Sequence, residues 1–375
     1  SPDGSRVNVA SLPGEVTVYD GTPSSEGDLT IPSSVDTGSG MVHVDSVAQK
    51  AFYSRTDVVN VTVGDGVWII RDRAFYNPLY EDGDNIVSMT LPDSLRIVMD
   101  EAFRQQHEMG DVNLDNVEYL GFEALRMCYS VTSLDISSVT DLKAGAMYCM
   151  HGLVSVTLNP GLKDIPDRTL GYCKSLESIE IPIGVEHLGN SAFYGSEALT
   201  SVVIPDSVET IAAHCFYGGK VLKTVDMGDS VRTIGNNAFG SCRMLESISL
   251  PDSLESVGVD VFRGCSSLET VEFGTGLVST GRSMFTNCVS LESVNIPGSI
   301  RTIGEGTFKA CGSLRTVTVS EGVEVIGKEA FSMCTSLMDV RLPSSVKTIS
   351  DGVFKQCTSL VTASLGSGVE TVGAD

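Results

Sequence analysis

Short runs of alternating apolar and polar residues recur along this chain, as in Ile248-Ser-Leu250 and Val294-Asn-Ile296. A period of two predicts short, half-buried strands. Each run opens a longer unit of fixed spacing. Leu245, Ile248, Leu250, Leu254, Val257, Phe262 and Cys265 are followed by Leu268, Val271, Phe273, Leu277, Phe285 and Cys288. Phenylalanine returns at Phe193, Phe216, Phe239, Phe262, Phe285, Phe308, Phe331 and Phe354, a constant step of 23 residues. Self-similarity at roughly 20–50 residues marks stacked repeats. A unit of this size cannot bury its apolar residues alone, so stacking makes continuous ladders of Leu, Val, Ile, Phe and Cys. The expected fold is a repeat solenoid with a parallel β-sheet on one face and short helical turns or irregular segments opposite. It should have about fourteen coils, mostly of 23 residues.

The breaks in the pattern have their own chemistry. Pro205, Pro251, Pro297 and Pro343 follow the strand in alternate repeats, where a residue without an N–H is tolerated because the ladder ends. Gly189, Gly235, Gly258, Gly281, Gly304 and Gly327 stand four residues before Phe. A recurring Gly there predicts either positive φ or close backbone approach. Upstream, Leu170 and Met147 hold the Phe slot, and Leu125 and Phe103 follow at 22-residue steps. Phe75 then needs five extra residues, which fall in Tyr80-Glu-Asp-Gly-Asp84, and Asp36-Thr-Gly-Ser-Gly40 is a second insertion. The organisation expected is a lead-in or cap over residues 1–25 and a repeat array over 26–375. The array stops in mid-repeat, because the next Phe is due two residues past Asp375, so it is expected to continue further. Its opening Ser1-Pro-Asp-Gly carries no charged and apolar leader, which fits a chain whose signal peptide has been removed or was never included.

A net charge of −23 narrows the partners. Nucleic acid is excluded, since a broad phosphate footprint needs the opposite sign. The acidity keeps a long apolar array soluble and favours a basic or metal-bridged partner. No apolar run approaches the length of a membrane span, so this segment is not expected to insert into a membrane. Of ten cysteines, eight share one slot: Cys128, Cys173, Cys242, Cys265, Cys288, Cys311, Cys334 and Cys357. Stacked neighbours would hold their Cβ atoms about 4.8 Å apart, beyond the usual disulfide spacing. Buried thiols acting as small hydrophobes are therefore expected.

The run Leu291-Glu-Ser-Val-Asn-Ile-Pro-Gly-Ser-Ile-Arg-Thr-Ile-Gly-Glu-Gly-Thr-Phe308-Lys-Ala-Cys311 closely resembles the BspA-type leucine-rich repeat. The resemblance covers about residues 26–372, and Val16-Thr-Val-Tyr-Asp-Gly and Asp28-Leu-Thr-Ile-Pro32 are similar to the lead-in of such arrays. It implies a leucine-rich-repeat solenoid of a cell-surface or secreted protein from anaerobic or mucosa-associated microbes, several of which act as adhesins. It carries no shared catalytic residues. The upstream coils depart from the pattern: Leu125, Met147 and Leu170 replace Phe, and Arg71, Lys143 and Pro166 replace Gly. Regularity between residues 70 and 170 is therefore the part of the fold left open.

Chemical motifs are few. Gly322-Val-Glu-Val-Ile-Gly327-Lys328 nearly spells a phosphate loop, but Glu329 stands where a hydroxyl should ligate magnesium. Asp82-Gly-Asp84-Asn85 offers oxygen ligands without the ordered spacing and terminal Glu of a calcium loop. No Cys-x-x-Cys pair, Gly-x-Ser-x-Gly or His-Glu-x-x-His occurs. Asn60-Val61-Thr62 is a glycosylation sequon. Trp68 is expected to pack near the five-residue insertion. No cofactor, metal or catalytic site is expected.

What remains is the outer face of the strands. Its middle row reads Asp135, Thr157, Glu180, Val203, Asp226, Ser249, Glu272, Asn295, Thr318, Arg341 and Ser364, beside a row of mostly Ser and Thr. A merely solvated sheet face would look similar. As a recognition surface, its variation from coil to coil favours a macromolecule over a repeating polymer. Asp226, Glu272, Asn295 and Arg341 are the candidate ligand-binding residues. The reading is a non-enzymatic, extracellular, adhesin-like protein that binds a protein or glycan at a host or neighbouring cell surface. A structural spacer or surface-layer component without a specific ligand is the alternative.

Overall fold

The computed structural model describes residues 9–12, 15–18, 23–24, 26–78 and 86–374. They fall into two compact units, Ser1–Pro182 and Ile183–Asp375. Each is a parallel β-solenoid built from the predicted coils. Phe52, Phe75, Phe103, Leu125, Met147 and Leu170 mark the coils of the first unit, and the eight Phe from Phe193 to Phe354 those of the second.

In the second unit the alternating runs form the expected parallel ladder. Ser201–Val203 pairs with Thr224–Asp226, and Ser247–Ser249 pairs with Thr270–Glu272. Ser293–Ile296, Thr316–Val319, Asp339–Arg341 and Thr362–Ser364 form one four-stranded sheet. The register is strict, with Val294 opposite Val317 and Val317 opposite Val340. Because side chains alternate, this register sends Val294, Ile296, Val317 and Val319 inward, giving the burial pattern exposed–buried–exposed–buried in Ser293–Ile296 and Thr316–Val319. The prolines sit just past these strands, as the missing N–H requires. In the next coil Gly228, Gly274 and Gly366 lie against them, where an added Cβ would meet a proline carbonyl oxygen at 2.5, 2.4 and 2.0 Å. At these three positions the glycine makes room for the preceding proline's carbonyl, while Ser320 takes the same slot after Pro297.

A second, shorter parallel ladder runs along each unit. Thr210–Ile211, Thr233–Ile234 and Ser256–Val257 belong to it, as do Thr302–Ile303, Val325–Ile326 and Thr348–Ile349. The recurring Gly slot follows directly. Gly235, Gly258, Gly281, Gly304 and Gly327 serve close approach: an ideal Cβ would stand 2.1–2.7 Å from the preceding coil. Positive φ lies two residues further on, at Asn237, Asp260, Ser283, Gly306 and Glu329, and again at Ser241, Gly264, Asn287, Ala310 and Met333. The segment is thus a series of tight turns closed by bonds such as Ala238 N to Gly235 O and Cys242 N to Phe239 O. Among the described residues no helix forms here.

These turns also bond from coil to coil. Asn237, Phe239 and Ser241 donate their N–H groups to the carbonyls of Val259, Val261 and Arg263 at 2.8, 2.9 and 2.7 Å, and the next coil repeats the pattern. The backbone thus bonds from coil to coil along the turn segment as well as along the two ladders. Inside, Phe193 to Phe354 stack with ring centroids 5.0–5.9 Å apart and planes within 11°. The eight slot cysteines are free thiols, all buried. Each of seven donates Sγ–H to a Phe carbonyl of the preceding coil, as Cys265 does to Phe239 at 3.3 Å, and Cys173 does so to Met147.

The first unit keeps the same plan through its irregular sequence. Leu125, Met147 and Leu170 are fully buried in the Phe slot, and Phe103, Leu125 and Met147 donate in turn to Ala124, Ala146 and Thr169. The 22-residue steps leave the ladder intact, with Ser133–Ile136 paired to Ser155–Leu158 residue for residue. The Asp36–Gly40 insertion is the turn of an antiparallel hairpin between Ser34–Asp36 and Met41–Val47, with Gly38 at φ 79°. Strands Val9–Leu12 and Glu15–Val18 form a further hairpin within the lead-in. The Tyr80–Asp84 insertion and the Asp82–Asn85 run lie outside the described residues.

Candidate functional site

The strand ladder presents two outward columns per coil. Asp226, Glu272, Asn295 and Arg341 are all exposed, as the alternation predicts. Asn295 and Arg341 share one sheet, with Thr318 between them in register. Asp226 pairs with Val203, and Glu272 with Ser249. The four candidates therefore lie on one face of one unit, Asn295 and Arg341 within a single hydrogen-bonded sheet, and Asp226 and Glu272 on separate strand pairs. Beside them stand Ser201, Thr224, Ser247, Thr270, Ser293 and Thr316, all exposed. At the entrance to the strands, Glu246, Glu269 and Glu292 occupy successive coils and are also exposed. Together with Asp226 and Glu272 they make this side acidic until Arg315 and Arg341 reverse the sign.

The second ladder is charged differently. Its entrance row reads Glu209, Arg232, Glu255, Val278, Arg301, Glu324 and Lys347. Opposite charges meet across coils: Arg232 to Glu255 at 2.7 Å, Arg301 to Glu324 at 3.7 Å and Lys347 to Glu324 at 3.2 Å. These exposed pairs contribute at most about 1 kcal/mol each. Their effect is to neutralise that edge, whereas the main strand face keeps its acids unpaired by neighbours of this kind.

In the first unit a denser network was not legible from sequence. Glu101 and Glu123, both at positive φ two residues before the core residue, are nearly buried. Arg73 and Arg104 grip Glu101 at 2.6 and 2.7 Å, and Arg104 and Arg126 grip Glu123 at 2.9 and 2.8 Å. Burial alone would raise the Glu101 carboxyl, but hydrogen bonds from the two arginines hold it below the usual carboxylate range. Arg104 also lies over Tyr76, and Arg126 over Tyr148, each 5.2 Å from the ring centre. This arrangement fixes neighbouring coils to one another.

Trp68 is 38 % exposed at the entrance to the second ladder, its carbonyl accepting from Arg96 N at 2.9 Å. Thr62 faces outward, while Asn60 donates to Asp28 at 2.8 Å and accepts from Ser88 at 2.7 Å. Among the described residues, no group of three or more His, Cys, Asp or Glu side chains is placed to hold a metal ion, and no helix is long and apolar enough to cross a membrane.

Comparison with known proteins agrees with this anatomy. The model of the BspA type leucine rich repeat region matches in six copies, over residues 41–136, 79–200, 186–312 and 278–375. Among solved structures, a leucine-rich repeat protein from Bacteroides ovatus is 25 % identical, with a TM-score of 0.76 over 98 % of this chain and 89 % of that one. A leucine rich cell surface protein from Faecalibacterium prausnitzii is 22 % identical, with a TM-score of 0.52 over 95 % of this chain and 92 % of that one. No curated protein matches. With the repeat model spanning nearly the whole array and the coils stacked as it requires, the chain belongs to the BspA-type leucine-rich repeat family.

Proposed function

We propose that this is a non-enzymatic, adhesin-like binding protein of the bacterial surface, which docks a protein ligand on its strand face. The observation that carries the reading is the exposed row containing Asp226, Glu272, Asn295 and Arg341 on a rigid ladder. A stacked platform loses little conformational entropy on binding, and a row whose chemistry changes at each coil can specify one partner. The unpaired acids Glu246, Glu269, Glu272 and Glu292 favour a partner with a basic surface. The surface location is supported by the similarity to the Faecalibacterium prausnitzii cell surface protein. The spacer reading has support too, since the face has no large aromatic anchors of the kind that dominate tight interfaces.

An array of purified host matrix and cell-surface proteins, probed with the whole chain, separates the two. Saturable binding to one or a few members, weakening as salt rises, is the expected result. A bare array would favour the spacer.

A further inference from the structure

The turn side of the second unit carries a row of its own, one residue after each core Phe. In successive coils it reads Tyr194, Tyr217, Gly240, Arg263, Thr286 and Lys309. Gly240 therefore leaves one position empty between an aromatic ring and a guanidinium. The gap is a cavity of about 350 Å³ lined by Tyr217, Asn237, Ser241, Arg263, Gly264 and Asn287. That volume is at the lower end of the range small-molecule sites occupy.

The wall of this notch is preorganised. Tyr217 stacks on Tyr194 of the preceding coil, with centroids 5.2 Å apart and planes 18° from parallel. His214 meets its edge at 5.9 Å. With one ring face covered by the preceding coil, the other is turned towards the following coil at Gly240. An added Cβ there would come within 2.9 and 3.1 Å of the Tyr217 ring carbons. A side chain in place of Gly240 would thus press on the Tyr217 ring and crowd the notch. The rest of the lining is polar. Asn237, Ser241 and Asn287 sit at positive φ, which fixes where their short side chains project from the turns. Their amides and hydroxyl offer donors and acceptors side by side. Arg263 adds a fork of donors, and its charge is partly answered by Asp260 at 3.4 Å.

One half-buried aromatic ring, flanked by paired donor–acceptor groups and by a single cation partly answered by Asp260, matches a particular ligand class. A pyranose presents C–H groups on one face and vicinal hydroxyls, each both donor and acceptor, around its rim. We propose that the Gly240 notch binds a neutral hexopyranose unit of a glycan, with Tyr217 under the sugar ring and Asn237, Asn287 and Arg263 on its hydroxyls. This site is on a different side of the coil from the strand face and does not depend on it.

The test is saturation-transfer NMR on the whole chain with the methyl glycosides of galactose, glucose, mannose and N-acetylglucosamine at millimolar concentration. At least one is expected to receive saturation on the protons of one ring face. Gly240→Tyr, which fills the notch, and Tyr217→Ala, which removes its wall, should each abolish the signal. Melting curves certify that each variant is folded, and if Gly240→Tyr fails to fold, Tyr217→Ala carries the test. Glu272→Lys on the strand face should leave the signal unchanged, so failure of this site and failure of the strand-face reading register separately. No transfer to any of the four sugars, or an undiminished signal in a folded notch variant, overturns the proposal.

Discussion

At the residue scale, two neighbouring positions in one coil have opposite requirements. Gly281 has no room for a side chain, since its Cβ would stand 2.1 Å from the Gly258 carbonyl oxygen. Ser283, two residues on, adopts φ 54°, a conformation in which any side chain is strained. Gly281→Ala should therefore destabilise by about 1–3 kcal/mol. Ser283→Gly should be neutral or stabilising by up to about 1 kcal/mol, the relief of strain being offset by backbone entropy. Thermal or urea denaturation of the two variants checks the opposed signs. The sequence made the Gly slot visible by repetition, but nothing in it separated close approach from positive φ. The strained turns escaped notice because Asn, Asp, Ser, Ala, Glu and Met all occupy them. The buried thiols give a second prediction. Burial pushes Cys128, Cys242 and Cys311 up to about 12 from an ordinary 9.0. Above pH 9 the unfolded chain loses these protons while the folded chain keeps them, so stability is full below pH 9 and falls as pH rises towards 12. Equilibrium unfolding at pH 8 and pH 10 should show the loss, and replacing these three cysteines with alanine should reduce it, the remainder coming from other buried thiols such as Cys173 and Cys265. An unchanged slope in that triple variant would contradict their buried, protonated state.

At the scale of the coil element, the apolar ladders and the outer columns separate cleanly. Phe262 is fully buried between Phe239 and Phe285, with centroids 5.4 and 5.3 Å away. Phe262→Ala should cost about 3–5 kcal/mol through lost burial and the cavity left behind. Glu272→Ala, one exposed position on the strand, should stay within about 0.5 kcal/mol. Similar denaturation midpoints for the two would mean that the strand face is turned the wrong way. Period-two alternation was enough to predict this ladder and which of its residues face outward. The second ladder was not legible, because strands such as Thr233–Ile234 are too short to alternate. The turn segment was expected as short helical turns or irregular segments. Its alternating positive φ values and coil-to-coil hydrogen bonds instead make it a third bonded wall.

At the scale of the whole molecule, charge and repetition decide what the chain can do. A net charge of −23 works against self-association of the strand faces and against a broad phosphate footprint. The repeat pattern carried the architecture because each coil restates it. A binding site depends on the few positions where coils differ, and one sequence does not say which differences matter. Thus Asp226, Glu272, Asn295 and Arg341 were recognisable as an outward row, while the Glu101–Arg104–Glu123 network and the Gly240 notch emerged only once coils were stacked. The measurement that bears most directly on the strand face is the double charge reversal Asp226→Lys with Glu272→Lys, assayed against a partner protein identified on the array. The account predicts at least tenfold weaker binding, about 1.4 kcal/mol, with an unchanged melting temperature. Binding equal to that of the wild type, with the fold intact, would contradict the strand ladder as the docking face.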